Sequence, residues 1–134
     1  MLTVHHIGYL VKKIEHAERQ FEELGYVVER ERHYDDIRKV DITFLTKDSY
    51  RVELVSPVAP DSVVSGLIKR YKNAPYHICY AVDNLEANLE KLGSQGFVQI
   101  TKVQPAPAID GRRVVFLQNA AIGMIELVES EEEN

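Results

Sequence analysis

Four residues of this sequence have the types and spacing to hold a metal ion: His6, Glu53, His77 and Glu126. His6 lies in "VHHIGYLV" and His77, 71 residues on, in "YHICYAV". Glu53 lies in "RVELV" and Glu126, 73 residues on, in "MIELV". On a strand, side chains alternate between faces, so residues i and i+2 share one. Val52 and Leu54 facing a helical layer would turn Glu53 away from it, and Ile125 and Leu127 would do the same for Glu126. Singly, each of the four is what alternation predicts for the wet face of a strand. Repetition makes them two equivalent pairs. If two half-sheets curve toward one another, two imidazoles and two carboxylates converge. Neutral nitrogen and anionic oxygen donors suit a divalent first-row ion such as Ni, Co, Zn, Mn or Fe, and a six-coordinate ion would keep two open positions.

The elements that must position these residues also repeat. At the offset of 71, Ile7 pairs with Ile78, Tyr9 with Tyr80, Val11 with Val82 and Gly25 with Gly96. Between strand and glycine each copy carries a helical pattern. The first sets Ile14, Ala17, Phe21 and Leu24 at helical spacing, and the second Leu85, Leu89 and Leu92, with Asp83 or Asn84 as N-cap. Each glycine falls where a helix stops and a strand begins, at "YVVERERH" and "FVQITKV". Further on, "RKVDITFL" from Arg38 resembles "RRVVFL" from Arg112. Each half therefore reads strand, helix, strand, strand, strand, a tandem duplication. The expected organisation is one domain over 1–134, with repeat 1 at about 3–56, a connector helix at about 61–71 and repeat 2 at about 75–129. "ESEEEN" at the end reads as a solvated charged tail.

Composition narrows the function. A chain of 134 residues with 45% apolar and 28% charged side chains can bury one ordinary core, which sets disorder aside. No run is long and apolar enough for a membrane span. The net charge of −5 opposes nonspecific nucleic-acid binding, which needs a basic face to displace counterions. The start of the chain has no secretory pattern, and a single cysteine, Cys79, forms no internal disulfide; together they lead to the expectation of a cytoplasmic protein.

"HHIGYLV", "VELVSP", "YHICYAVDNLE" and "GMIELVE" resemble the four metal-bearing strands of the vicinal oxygen chelate superfamily, and the likeness runs from about Thr3 to Glu129. The resemblance implies an α+β fold of two tandem βαβββ units forming a cupped, partly closed mixed β-sheet with helices on the outer face. It implies one divalent ion held by His6, Glu53, His77 and Glu126, and a homodimer. The His–Glu–His–Glu set is similar to that of bacterial glyoxalase I and methylmalonyl-CoA epimerase, and unlike the two-His, one-Glu iron site of extradiol dioxygenases. The connector from "VELVSP" to "YHICYAVDNLE" is similar to the epimerase pattern.

Both similar enzymes remove a proton from carbon beside a carbonyl. A Lewis-acidic metal stabilises the resulting enediolate, and a positioned carboxylate moves the proton. The resemblance makes Glu126 the first candidate base and Glu53 the second. Asp41 in "RKVDITFL" is the third: alternation would set it with Lys39 and Thr43, opposite Val40, Ile42 and Phe44 facing the core. The expected substrate is a small-molecule thioester or thiol conjugate, with epimerase chemistry first. Glyoxalase I (lactoylglutathione lyase) and a non-catalytic small-molecule-binding protein of the same fold are the alternatives. Lys69, Arg70, Lys72, Arg112 and Arg113 are available to an anionic conjugate. His5 is read as an outer or subunit-contact residue, His16 and His33 as surface residues, and Cys79 as a buried filler.

Overall fold

The computed structural model describes residues 2–131, so the last residues of the acidic run, 132–134, fall outside the described residues. Described residues form β1 (Thr3–Leu10), α1 (Ile14–Glu23), β2 (Val27–Asp35), β3 (Val40–Lys47), β4 (Tyr50–Pro57), α2 (Ser65–Tyr71), β5 (Ala74–Val82), α3 (Leu85–Gly93), β6 (Val98–Gln99), β7 (Gln104–Ala106), β8 (Arg112–Asn119) and β9 (Gly123–Glu129). Strand pairing is mixed, as the tandem βαβββ reading predicts: β1 with β4 and β5 with β9 run parallel, and the remaining pairs described below are antiparallel.

The chain divides into two compact units, one spanning His6–Tyr76 and the other formed by the start of β1 with the chain from His77 onward. In the first unit the strand order is β2-β3-β4-β1. Helix α1 covers one face through Ile14, Ala17 and Phe21, which pack on Val11, Leu45, Val52 and Leu54. Phe21 is wedged edge-on between Tyr9 and Tyr26, at centroid distances of 5.3 and 5.1 Å. Burying such side chains stabilises by roughly 1.5–3 kcal/mol each. Leu24 departs from the helical pattern: it is the C-cap, 65% exposed, because the chain turns away at Gly25 before a further apolar position can reach the sheet.

In the second unit the order is β5-β9-β8-β6, with β7 also on β8. Leu85, Leu89 and Leu92 of α3 pack on Val82, Val115, Leu117, Ile125 and Leu127. Asn84 is the N-cap, its side-chain oxygen accepting from the Ala87 N–H at 2.9 Å, a contact worth about 1 kcal/mol. Both helices end alike. Gly25 and Gly96 take φ of 99° and 93°, and the next residue, Tyr26 or Phe97, donates its N–H back to Phe21 or Leu92. Glycine takes this left-handed conformation without the penalty a Cβ imposes.

Two elements are shorter than the sequence predicts. Helix α2 starts at Ser65 rather than near 61, since 61–64 form turns tied by Ser62 and Ser65 hydroxyls donating to the Arg38 and Ala59 carbonyls. "FVQITKV" is a strand only at Val98–Gln99, after which the Thr101 hydroxyl accepts the Phe116 N–H in place of a backbone partner. The strand resumes as the separate β7, and described strands number nine rather than eight.

Candidate functional site

In the first unit, His6 points away from the helical layer because Tyr9 and Val11, of opposite parity on the strand, contribute to the α1 core. Glu53 lies on the adjacent parallel strand opposite Gly8, two residues past the histidine. Its carboxylate Oε1 is 3.5 Å from His6 Nε2. On its other side Glu53 faces Phe44 of β3, whose ring meets the His6 imidazole edge-on at 5.4 Å.

The second unit repeats this arrangement. Glu126 lies opposite Cys79, two residues past His77, and opposite Phe116 on its other side. His77 Nε2 and Glu126 Oε1 are 3.0 Å apart, and the Phe116 ring meets His77 edge-on at 5.1 Å. Exposure is 1% and 9% for His6 and Glu53, and 4% and 6% for His77 and Glu126. A carboxylate removed from water needs a positive or hydrogen-bonding partner. Each half-site therefore offers a buried imidazole nitrogen and a buried anionic oxygen side by side, a donor set that fits a divalent first-row ion.

The ring of Phe44 is the part that sequence reasoning assigned differently, and that of Phe116 is one it did not assign. Phe44 was expected to face the helical core, with Asp41 on the other side. In the structure the faces are reversed: Leu45 packs under α1, and Phe44, directly opposite Glu53, turns toward His6. Directly paired antiparallel residues point to the same face, and β3 is buried on both, so alternation of polarity could not fix its orientation. Asp41 has the parity of Leu45 and pairs with Ser56 and Tyr34. It stands on the helical side of β3 and is not brought to the Glu53 face. The signal that does point to the two rings is the repeated "FL" of "TFL" and "VFL".

The remaining candidates are placed as follows. Cys79 is fully buried beside Glu126. Arg113 is engaged by Glu86 and Glu129, which hold its guanidinium charged well above the ordinary range. Arg112 donates from Nε to the Glu129 carbonyl at 2.8 Å, and its Nη1 is 3.4 Å from His5 Nε2. These two arginines are thus tied to the β9 end of their own unit. Lys69, Arg70 and Lys72 are exposed around the end of α2.

Residues 5–116 match the family model described as the Glyoxalase/Bleomycin resistance protein/Dioxygenase superfamily. The chain belongs to that superfamily. An ethylmalonyl-CoA/methylmalonyl-CoA epimerase of Cereibacter sphaeroides is 27% identical over 116 residues, covering 85% of this chain and 86% of the relative. The uncharacterized protein YqjC of Bacillus subtilis is 25% identical over 117 residues, 87% of this chain and 83% of the relative. Among solved structures, a methylmalonyl-CoA epimerase from Mycobacterium tuberculosis has a TM-score of 0.82 at 21% identity, with 96% of this chain and 88% of that chain covered; at that identity the likeness shows the fold alone. Among the described residues no helix is long and apolar enough to cross a membrane.

Proposed function

We propose that the two half-sites act together as one metal centre, and that the protein is an epimerase-type enzyme which moves the α-proton of an acyl-CoA thioester. The observation that carries this reading is the equivalence of two buried His–Glu pairs, each carboxylate in the same register between a residue two past its histidine and an edge-on phenylalanine. The superfamily and its curated epimerase relative supply the substrate class. His6, Glu53, His77 and Glu126 would hold the ion. A bound divalent ion would supply Lewis acidity toward the thioester carbonyl.

The chain's own residues carry the rest. Inversion at carbon needs a proton removed on one face and returned on the other, and a duplicated fold provides two equivalent carboxylates for those tasks. Glu126, the first candidate base, starts ionised and takes the proton on one face; Glu53 starts protonated and gives its own proton on the other, which leaves the pair set for the opposite inversion. Phe44 and Phe116 hold the imidazoles in place by their edge contacts.

The test has two arms. Purified protein refilled with Ni, Co, Zn or Mn is expected to retain one ion per chain, and methylmalonyl-CoA incubated with it in heavy water to gain deuterium at the α-carbon. Only trace metal would overturn the reading, as would an unlabelled thioester alongside turnover of the methylglyoxal–glutathione adduct.

A further inference from the structure

Strand β2, at the edge of the first unit, does not keep one register against β3. Val28 stands opposite Leu45, Arg30 opposite Phe44 and His33 opposite Ile42, so the pairing slips by one residue between Val28 and Arg30 and again between Arg30 and His33. Had the first register continued, Arg30 would stand opposite Thr43, which pairs with Leu54 of the α1 core. The slip sets it opposite Phe44 instead, and Phe44 stands opposite Glu53. Directly paired residues share a face, so the bulge turns Arg30 from the helical side to the side of the His6–Glu53 pair. Bulges beside active sites re-aim single side chains in this way. Arg32, two residues on, keeps to the other side and pairs with Glu15 of α1.

Straight across the sheet the first unit therefore reads Arg30, Phe44, Glu53, Gly8. Arg30 is two ladder spacings from Glu53, about 10 Å of sheet, and is half-buried although its strand is an edge. The residue between them is the neutral, buried ring of Phe44. A second guanidinium shares this face: Arg51, two residues before Glu53, is held by both carboxylate oxygens of Glu29, the residue the bulge adds, at 2.8 and 3.2 Å.

The duplication singles out Arg30. The two half-sites agree at histidine, glutamate and phenylalanine. At the offset of 71 that pairs Gly25 with Gly96, Arg30 corresponds to Thr101. There β6 has already ended, the Ile100 N–H donates to the Phe116 carbonyl at 2.9 Å, and the Thr101 hydroxyl accepts the Phe116 N–H. The metal donors are duplicated and the cation is not. An ion asks the same of both half-sites, whereas a substrate charged at one end does not.

We propose that Arg30 determines specificity: its guanidinium takes a free carboxylate on the acyl part of the substrate, so that the protein selects thioesters of dicarboxylic acids over those of simple monocarboxylic acids. The proposal rests on the epimerase reading above and assigns a residue that reading does not use. A guanidinium fork meets a carboxylate through two parallel hydrogen bonds, which a lysine cannot reproduce. Held at that carboxylate, the acyl group has one end fixed on the Glu53 side, which restricts the positions its α-carbon can take.

Malonate and acetate are the probes, titrated by calorimetry into the metal-loaded protein with the ion content of each sample measured. Malonate carries the free carboxylate together with a second carboxylate in the place of the thioester, and acetate has only the latter. Wild type is expected to bind malonate more tightly than acetate. Arg30→Gln should lose about tenfold in malonate affinity, as loss of a charge-assisted pair predicts, with acetate affinity and ion content unchanged. Arg30→Lys should recover part of it. Arg32→Gln removes the same charge from the other side of the same strand and should bind malonate as wild type does. Absence of wild-type malonate binding, equal affinity in Arg30→Gln, or an equal loss in Arg32→Gln overturns the proposal. Exchange of the α-proton of methylmalonyl-CoA separates the two readings. If malonate binding depends on Arg30 while wild type exchanges no α-proton, the epimerase reading fails and the anchor stands. If Arg30→Gln exchanges with an unchanged KM, the anchor fails and the epimerase reading stands; a raised KM that Arg30→Lys partly restores supports both.

Discussion

The ring of Phe116 meets the imidazole of His77 edge-on, with centroids 5.1 Å apart and planes at 85°. Phe44 does the same to His6 at 5.4 Å and 79°. In each case the phenylalanine also stands directly across the ladder from the glutamate of its half-site, so one apolar side chain borders both donors. An edge-to-face contact of this kind adds about 1 kcal/mol beyond the area it buries, and on the proposed reading it orients the imidazole.

Phe116→Leu keeps the apolar character and removes the ring edge. The expected result is a stability loss of about 1 kcal/mol in chemical denaturation. A fall of roughly tenfold or more in metal affinity should accompany it, as is usual when a contact that orients a ligand is lost. Phe44→Leu should behave alike. A variant that loses stability but holds the ion as tightly as wild type would show that the rings pack without orienting.

Asp41 stands on the helical side of β3, away from Glu53, so on the proposed reading it takes no part in proton transfer. Glu126→Gln is expected to lower α-proton exchange by at least about 100-fold, the usual contribution of a general base. Asp41→Asn should leave exchange unchanged and shift stability by no more than about 0.5 kcal/mol. Deuterium incorporation followed by mass spectrometry reads both variants. Metal content measured on the same samples shows whether loss of exchange in Glu126→Gln reflects the base or the loss of a ligand. Loss of exchange in Asp41→Asn would return the catalytic role to that residue.

Much of this arrangement was legible because duplication converts weak single-residue signals into paired ones. His6 with His77, and Glu53 with Glu126, could be placed on the side away from the helices from the parity of Val52, Leu54, Ile125 and Leu127, and the two cores place those four as expected. The helix stops were legible too, since Gly25 and Gly96 mark positions that require positive φ. Orientation of β3 was not legible. Val40, Ile42, Thr43, Phe44 and Leu45 are all buried, so nothing in their polarity distinguishes one face from the other; only the register with β4 does. The break in "FVQITKV" was hidden for a related reason, because it depends on Thr101 reaching Phe116, a contact 15 residues apart that no local propensity encodes.

The end of β9 carries a pH dependence of definite sign. Hydrogen bonds from Arg113, chiefly, hold the Glu129 carboxyl below the ordinary glutamate range, and Glu86 is lowered by the same guanidinium. A carboxyl whose folded-state pKa is depressed contributes stability above its unfolded value and loses it as pH falls through the folded value. Glu129→Gln should therefore be less stable than wild type near neutrality, and the gap should close in acid once the carboxyl of wild type is protonated. Urea denaturation midpoints of both proteins at neutral pH and near pH 3 measure this. The comparison must be made as a difference, since Glu15, lowered first by a backbone hydrogen bond and then by Arg32, and Asp61, lowered by Lys39, also contribute to acid unfolding in both proteins alike. A gap that persists unchanged in acid would mean that Glu129 acts through packing, and that its pairing with Arg113 is stabilising only in appearance.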